Sequence, residues 1–136
     1  MSGFAASILI CLASIAQGMT CPGSPSWVHA SARITGMADA PCAKVSEEMM
    51  SRVANQGTAW HDPHNNGTYT MISATKPVLQ LSRLTGDRRF TDKMTFTLTG
   101  KDTQCMIEAC SESQSTSVAD FSTNYCNLRM LYCGSK

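Results

Sequence analysis

The sequence predicts an α+β domain in which one amphipathic helix packs on a four-stranded antiparallel β-meander, followed by a disulfide-clamped C-terminal segment that is itself a candidate second helix. Three observations lead there. The apolar repeat changes from a helical to a two-residue period near residue 67, four period-two segments then follow with short turns between them, and six cysteines are spread along the body of the chain.

The helix is expected to start at Asp39-Ala40-Pro41, an N-cap oxygen followed by a proline whose missing N–H costs nothing in a first turn. Val45, Met49 and Val53 recur at i, i+4 and i+8, and Met50 and Ala54 widen that stripe. Lys44, Glu47, Glu48, Ser51 and Arg52 stay largely outside it. Gly57 marks the stop. Residues 20–41 are rich in Pro, Gly, Ser and Ala without a period, and read as an irregular arm tied down by Cys21.

The first strand spans Gly67 to Thr75, with Tyr69 and Met71 on one face and Ile72 and Ala74 on the other, and Lys76-Pro77 breaks it from a second over Val78 to Leu84. Thr85-Gly86-Asp87 turns the chain. In the third strand Phe90, Met94, Phe96 and Leu98 alternate with Thr91, Lys93, Thr95, Thr97 and Thr99, one face apolar and one wet. After Gly100-Lys101-Asp102, Gln104 to Cys110 is the fourth strand. Ser117-Val118-Ala119-Asp120 then has the form of a capping box, with Phe121, Tyr125, Leu128 and Tyr132 at helical spacing behind it. Thr123, Asn124 and Asn127 are poor helix formers, so an extended segment competes.

Residues 1–18 read as a signal peptide and 19–136 as one secreted, disulfide-stabilised domain. Phe4 to Ala16 carries no charge, is too short to span a bilayer, and is followed by small residues suited to cleavage. Cys11 would leave with it. Cys21, Cys42, Cys105, Cys110, Cys126 and Cys133 remain, an even set that predicts three disulfides rather than a zinc site. Five strand rises separate Cys105 from Cys110 by roughly 16 Å, and seven helical rises separate Cys126 from Cys133 by roughly 10 Å, so neither couple can bond within itself. The expected pairing is Cys21 with Cys42, and the strand-four cysteines with the C-terminal couple. The odd spacing of Cys105 and Cys110 sets them on opposite faces, however, which calls for a bulge or an exchange with Cys21 or Cys42.

Eleven Lys and Arg against ten Asp and Glu give a net charge of +1, which offers no field for gripping nucleic acid, and charged residues make up only 15% of the chain, as suits a polar extracellular surface. No later stretch is apolar enough for stable membrane insertion. The densest cluster of functional atoms is His61-Asp62-Pro63-His64, a weak candidate for metal-assisted or general-base catalysis with His29 as a distant third nitrogen, or a plain tight loop. Asn66-Gly67-Thr68 is a glycosylation sequon. Thr95, Thr97 and Thr99 form a row that orders water or binds sugar, or simply faces solvent.

No nucleophile, base or metal motif is assembled, so the leading expectation is a monomeric, non-catalytic binding or inhibitor module without cofactor, acting on an extracellular protein or glycan. A carrier is the alternative, with an apolar, lipid-like ligand between the sheet and the helix, lined by Phe90, Met94, Phe96, Leu98, Val45, Met49 and Val53.

Overall fold

The computed structural model describes residues 19–133; the segment read as a leader, with Cys11, lies outside them. Along the chain run β1 (Ser31–Ala38), α1 (Cys42–Ala54), β2 (Thr68–Thr75), β3 (Val78–Leu84), β4 (Thr91–Lys101), β5 (Gln104–Ser113) and α2 (Thr123–Arg129). The α+β class holds, and β2 to β5 are the meander. They form one antiparallel sheet in the order β1-β5-β4-β3-β2.

The sheet therefore has five strands rather than four. The supposedly irregular arm contains β1, which pairs with β5 from Ser31 opposite Glu112 to Ala38 opposite Cys105. Its inward positions are Ala32, Ile34, Gly36 and Ala38, three of them too small to write an apolar period, so β5 rather than its own side chains defines the strand. Both helices lie on the same face. There α1 packs on β2, β4 and β5, and α2 on β1 and β5. Between helices and sheet, Val45, Met49, Leu79, Leu81, Met94, Phe96, Leu98, Ile107 and Leu128 are buried in one cluster. The turn before α1 differs in detail: Pro41 occupies the cap position, and Asp39 instead accepts from Gln104 Nε2 at 3.0 Å. A register shift between Met71 and Ser73 bulges Ile72 out to solvent.

The disulfide pairing follows the face argument and not the expected partners. Cys105, facing the helices, bonds Cys42 at the head of α1; Cys110, on the opposite face, bonds Cys21 in the arm. The Cα separations are 4.8 and 5.1 Å. Cys126 and Cys133 are unbonded, so there are two bridges among the described residues and not three. Helical bonds continue through that segment, Met130 N–H to the Cys126 carbonyl and Cys133 N–H to that of Arg129, which holds the two sulfurs' backbones about two turns apart. What clamps the C-terminal segment is Arg52 of α1. Its Nη1 donates to the Met130 and Cys133 carbonyls, both at 2.7 Å, while Nε donates to Glu48 at 2.9 Å.

Candidate binding cleft

Across the helix-covered face, cross-strand partners line up in rows, and the row at the end of the sheet nearest Ser31 and Ser113 is polar. Tyr69 of β2, Arg83 of β3, Asp92 of β4 and Ser113 of β5 sit side by side. One step inward the row is Met71, Leu81, Met94 and Ser111, and beyond it Leu79, Phe96 and Ala109 are apolar throughout. Each polar member is buried, so each must find partners or forfeit its hydration.

Arg83 turns towards β2. Its guanidinium forms a buried ion pair with Asp62 and also donates to Asn65, and it lies 5.6 Å from the Tyr69 ring centroid. Asp62 additionally accepts the N–H groups of His64 at 3.0 Å and Gly67 at 2.9 Å, closing the loop. A Cβ at position 67 would collide with the Arg83 guanidinium, so any larger residue there would have to displace the ion pair. Burial alone would raise the Asp62 pKa, but the Arg83 hydrogen bond, the His64 N–H, the Arg83 charge and the Gly67 N–H outweigh it and hold the carboxyl below its ordinary range. Burial pushes the Tyr69 phenol up, and its hydroxyl donates to the Asn127 carbonyl at 3.0 Å.

Asp92 and Ser113 turn towards α2. Ser113 Oγ donates to Asp92 Oδ1 and Asn127 Nδ2 to Asp92 Oδ2, both at 2.7 Å. Asn124 accepts from Ser111 Oγ at 2.6 Å and donates to Ser113 Oγ at 3.1 Å. This accounts for a helix rotated from the expected stripe. Leu128 of that stripe is buried and Tyr132 packs partly buried on the core, but Asn124 and Asn127 also face inward while Phe121 and Tyr125 are exposed. The expected capping box is replaced by Asp120 alone, whose side chain accepts the Ser122 and Asn124 N–H groups.

Above this end of the sheet opens a cleft of about 500 Å³, between residues 85–90 and residues 117–123. Asp92 and Ser113 are its deepest lining groups, 1% and 4% exposed. Phe90 and Phe121 stand at its mouth, together with Asp87 and Asp120. Two further exposed apolar groups, Val28 and Val118, lie close by, since the Ser117 N–H donates to the Val28 carbonyl at 3.1 Å; Trp27, next in the arm, is fully exposed.

The structure disperses the catalytic candidates of the sequence. Asp62 is consumed by Arg83, His61 is exposed, and His64 is exposed with Nε2 3.4 Å from Thr123 Oγ1. His29 is elsewhere, its Nε2 3.4 Å from Glu112. Asn66 is exposed with φ 56°, beside the cleft-lining Asn65. Thr95 is buried opposite Cys110, so the threonine row is not one open face. Of the residues proposed to line a carrier pocket, Val45, Met49, Met94, Phe96 and Leu98 belong to the packed core, Val53 lies partly buried against it, and Phe90 stands apart at the cleft.

The residues that matter here, Arg83, Asp92, Asn124 and Asn127, were absent from the sequence candidates. A signal existed in phase. Arg83 shares parity with Leu79 and Leu81, and Asp92 with Met94, Phe96 and Leu98, so each places a charge on an otherwise apolar face.

No family model matches the chain, and no curated protein matches it. Four chains among the solved structures do. One is CalU16 from Micromonospora echinospora, 14% identical, with a TM-score of 0.47 over 64% of this chain and 61% of that one.

Proposed function

We propose that the protein is a non-catalytic binding module that works through the open end of its sheet. One observation carries this reading: the cleft of about 500 Å³ has a buried carboxylate at its base and phenylalanines at its mouth, an apolar recess with few convergent polar groups. The exposed Phe121 at its mouth and Val28 and Val118 close by suit a larger partner that seats one projecting group in the cleft. Two disulfides and the lack of a described helix long and apolar enough to cross a membrane are consistent with an extracellular protein, and we place it there as a secreted chain. A glycan on Asn66 would stand beside the cleft and limit which partners approach.

A fragment screen on the disulfide-intact protein tests the reading. Hits are expected to move the amide resonances of Thr85, Ser113 and Ser117 and to be recovered chemically unchanged. Hits confined to the outer sheet face, or turnover of a fragment, would overturn it.

A further inference from the structure

Resting on that cleft reading, we infer the class of ligand: a primary ammonium carried on a short aryl or alkyl body. The argument starts from Asp92. It is 1% exposed, lines the cleft, and makes two hydrogen bonds, from Ser113 and Asn127, both neutral donors. No ion pair to it exists among the described residues. The nearest cation by register is its cross-strand partner Arg83, whose Nε and Nη2 donate to Asp62 and Asn65 and whose Nη1 makes no hydrogen bond, so none reaches Asp92 from it. A buried carboxylate normally has a cationic partner or a metal, and here the open direction for one is the cleft.

The remaining lining agrees. Asp87 and Asp120 add two carboxylates, and no Lys, Arg or His is among the lining residues. Arg89, beside the mouth, has its guanidinium carbon 5.6 Å from the Phe90 ring centroid, a cation–π contact within the chain. Phe121, 90% exposed, offers a second ring. An ammonium with three N–H donors matches the acceptors at the base, Asp92 and the Ser113 hydroxyl, and the body of the ligand lies between the two rings. An anionic ligand would meet three carboxylates.

The test uses three probes of similar shape on the disulfide-intact chain, followed by amide chemical shifts: phenethylamine, phenethyl alcohol and phenylacetate. Saturable shifts at Thr85, Ser113, Ser117 and Thr123 are expected with phenethylamine, at an affinity at least about tenfold above the alcohol's. Phenylacetate should produce none. Asp92→Asn should bring the amine's affinity down to that of the alcohol, and Asp87→Asn, which keeps an Oδ1 acceptor for the Thr85 hydroxyl and the Arg89 N–H, should weaken it by a smaller factor. If the alcohol or phenylacetate binds in the cleft as tightly as the amine, the ammonium assignment fails while the cleft remains a binding site. If no probe gives saturable shifts there, both fail. Should Asp92→Asn not fold, the probe comparison and Asp87→Asn still decide.

Discussion

The two ends of the sheet are built by different physics. At the end that carries the start of α1, the Cys42–Cys105 bridge, the short β2–β3 and β4–β5 turns and the apolar rows around Leu79, Phe96 and Ile107 fix the structure by covalent closure and non-directional burial. At the other end the same face turns polar, and Arg83, Asp92, Ser113, Asn124 and Asn127 are held by hydrogen bonds that each need one partner in one place. The first end tolerates change in proportion to volume. The second is all-or-none at each bond, and the cleft opens there.

Removing the covalent constraint gives the largest effect. Reducing both bridges, which span 89 and 63 residues, should lower stability by about 4–10 kcal/mol in total, comparable to the whole stability of a small domain. Urea unfolding with and without reductant measures it. The same sample checks the bridge count: denatured, unreduced protein should label at Cys126 and Cys133 and leave Cys21, Cys42, Cys105 and Cys110 unlabelled. Burial raises the pKa of the Cys126 thiol, with the Asp62 and Asp120 charges adding to it and Arg83 opposing, so labelling of the folded protein should be slow there. A loss of less than about 1 kcal/mol would show that burial and hydrogen bonding hold the fold without either bridge.

Next comes the buried ion pair. Asp62→Ala leaves Arg83 charged and buried, and should cost about 3–5 kcal/mol. Its pH signature has a fixed sign. Because the folded pKa of Asp62 is depressed, its contribution is complete above the unfolded value of about 3.9 and is lost as pH falls through the lower folded value. Unfolding curves between pH 2 and 5 should therefore be flatter for Asp62→Asn than for the wild type. Equal slopes would place the acid sensitivity elsewhere.

These two regions also differ in how far they were legible. Period and turn chemistry gave α1 and the four meander strands, and spacing alone forbade Cys105–Cys110, because burial writes a repeat into sequence. β1 escaped since Ala32, Gly36 and Ala38 carry no repeat, and its pairing is supplied by a strand some seventy residues away. The polar row escaped for a different reason. Arg83 and Asp92 look like solvent residues until register sets them beside Tyr69 and Ser113, and Asn124 and Asn127 look like helix breakers until that row needs donors. Of the helical stripe, Leu128 and Tyr132 therefore pack inward while Phe121 and Tyr125 face solvent.

A smaller effect isolates the contact between α2 and the polar row. Asn127→Ala removes the donor to Asp92 Oδ2 and leaves a buried carboxylate oxygen short of a partner, at a cost of about 1–3 kcal/mol. Double-mutant cycles with Ser113→Ala should show coupling, since both side chains donate to the same carboxylate. Additive losses would mean that the row is a set of independent bonds.

The smallest effect has the most diagnostic sign. Phe121 is 90% exposed yet sits at φ 47°, in the left-handed region that a bulky side chain occupies at a cost of about 1–2 kcal/mol. Nothing in its burial offsets that cost, and the ring stands at the mouth of the cleft. Under the proposed binding role of the cleft, that strain is expected at a position that meets the ligand. Phe121→Gly should relieve the backbone and, after glycine's own entropic penalty, raise stability by about 0.5–1 kcal/mol. At the same time it should weaken phenethylamine, whose body would lose one of its two rings. Thermal unfolding and the amide titration, run on the same preparation, give both numbers. A variant that is less stable would show that the ring supports α2; one that is more stable and binds equally well would remove Phe121 from the site and leave Phe90 as its aromatic wall.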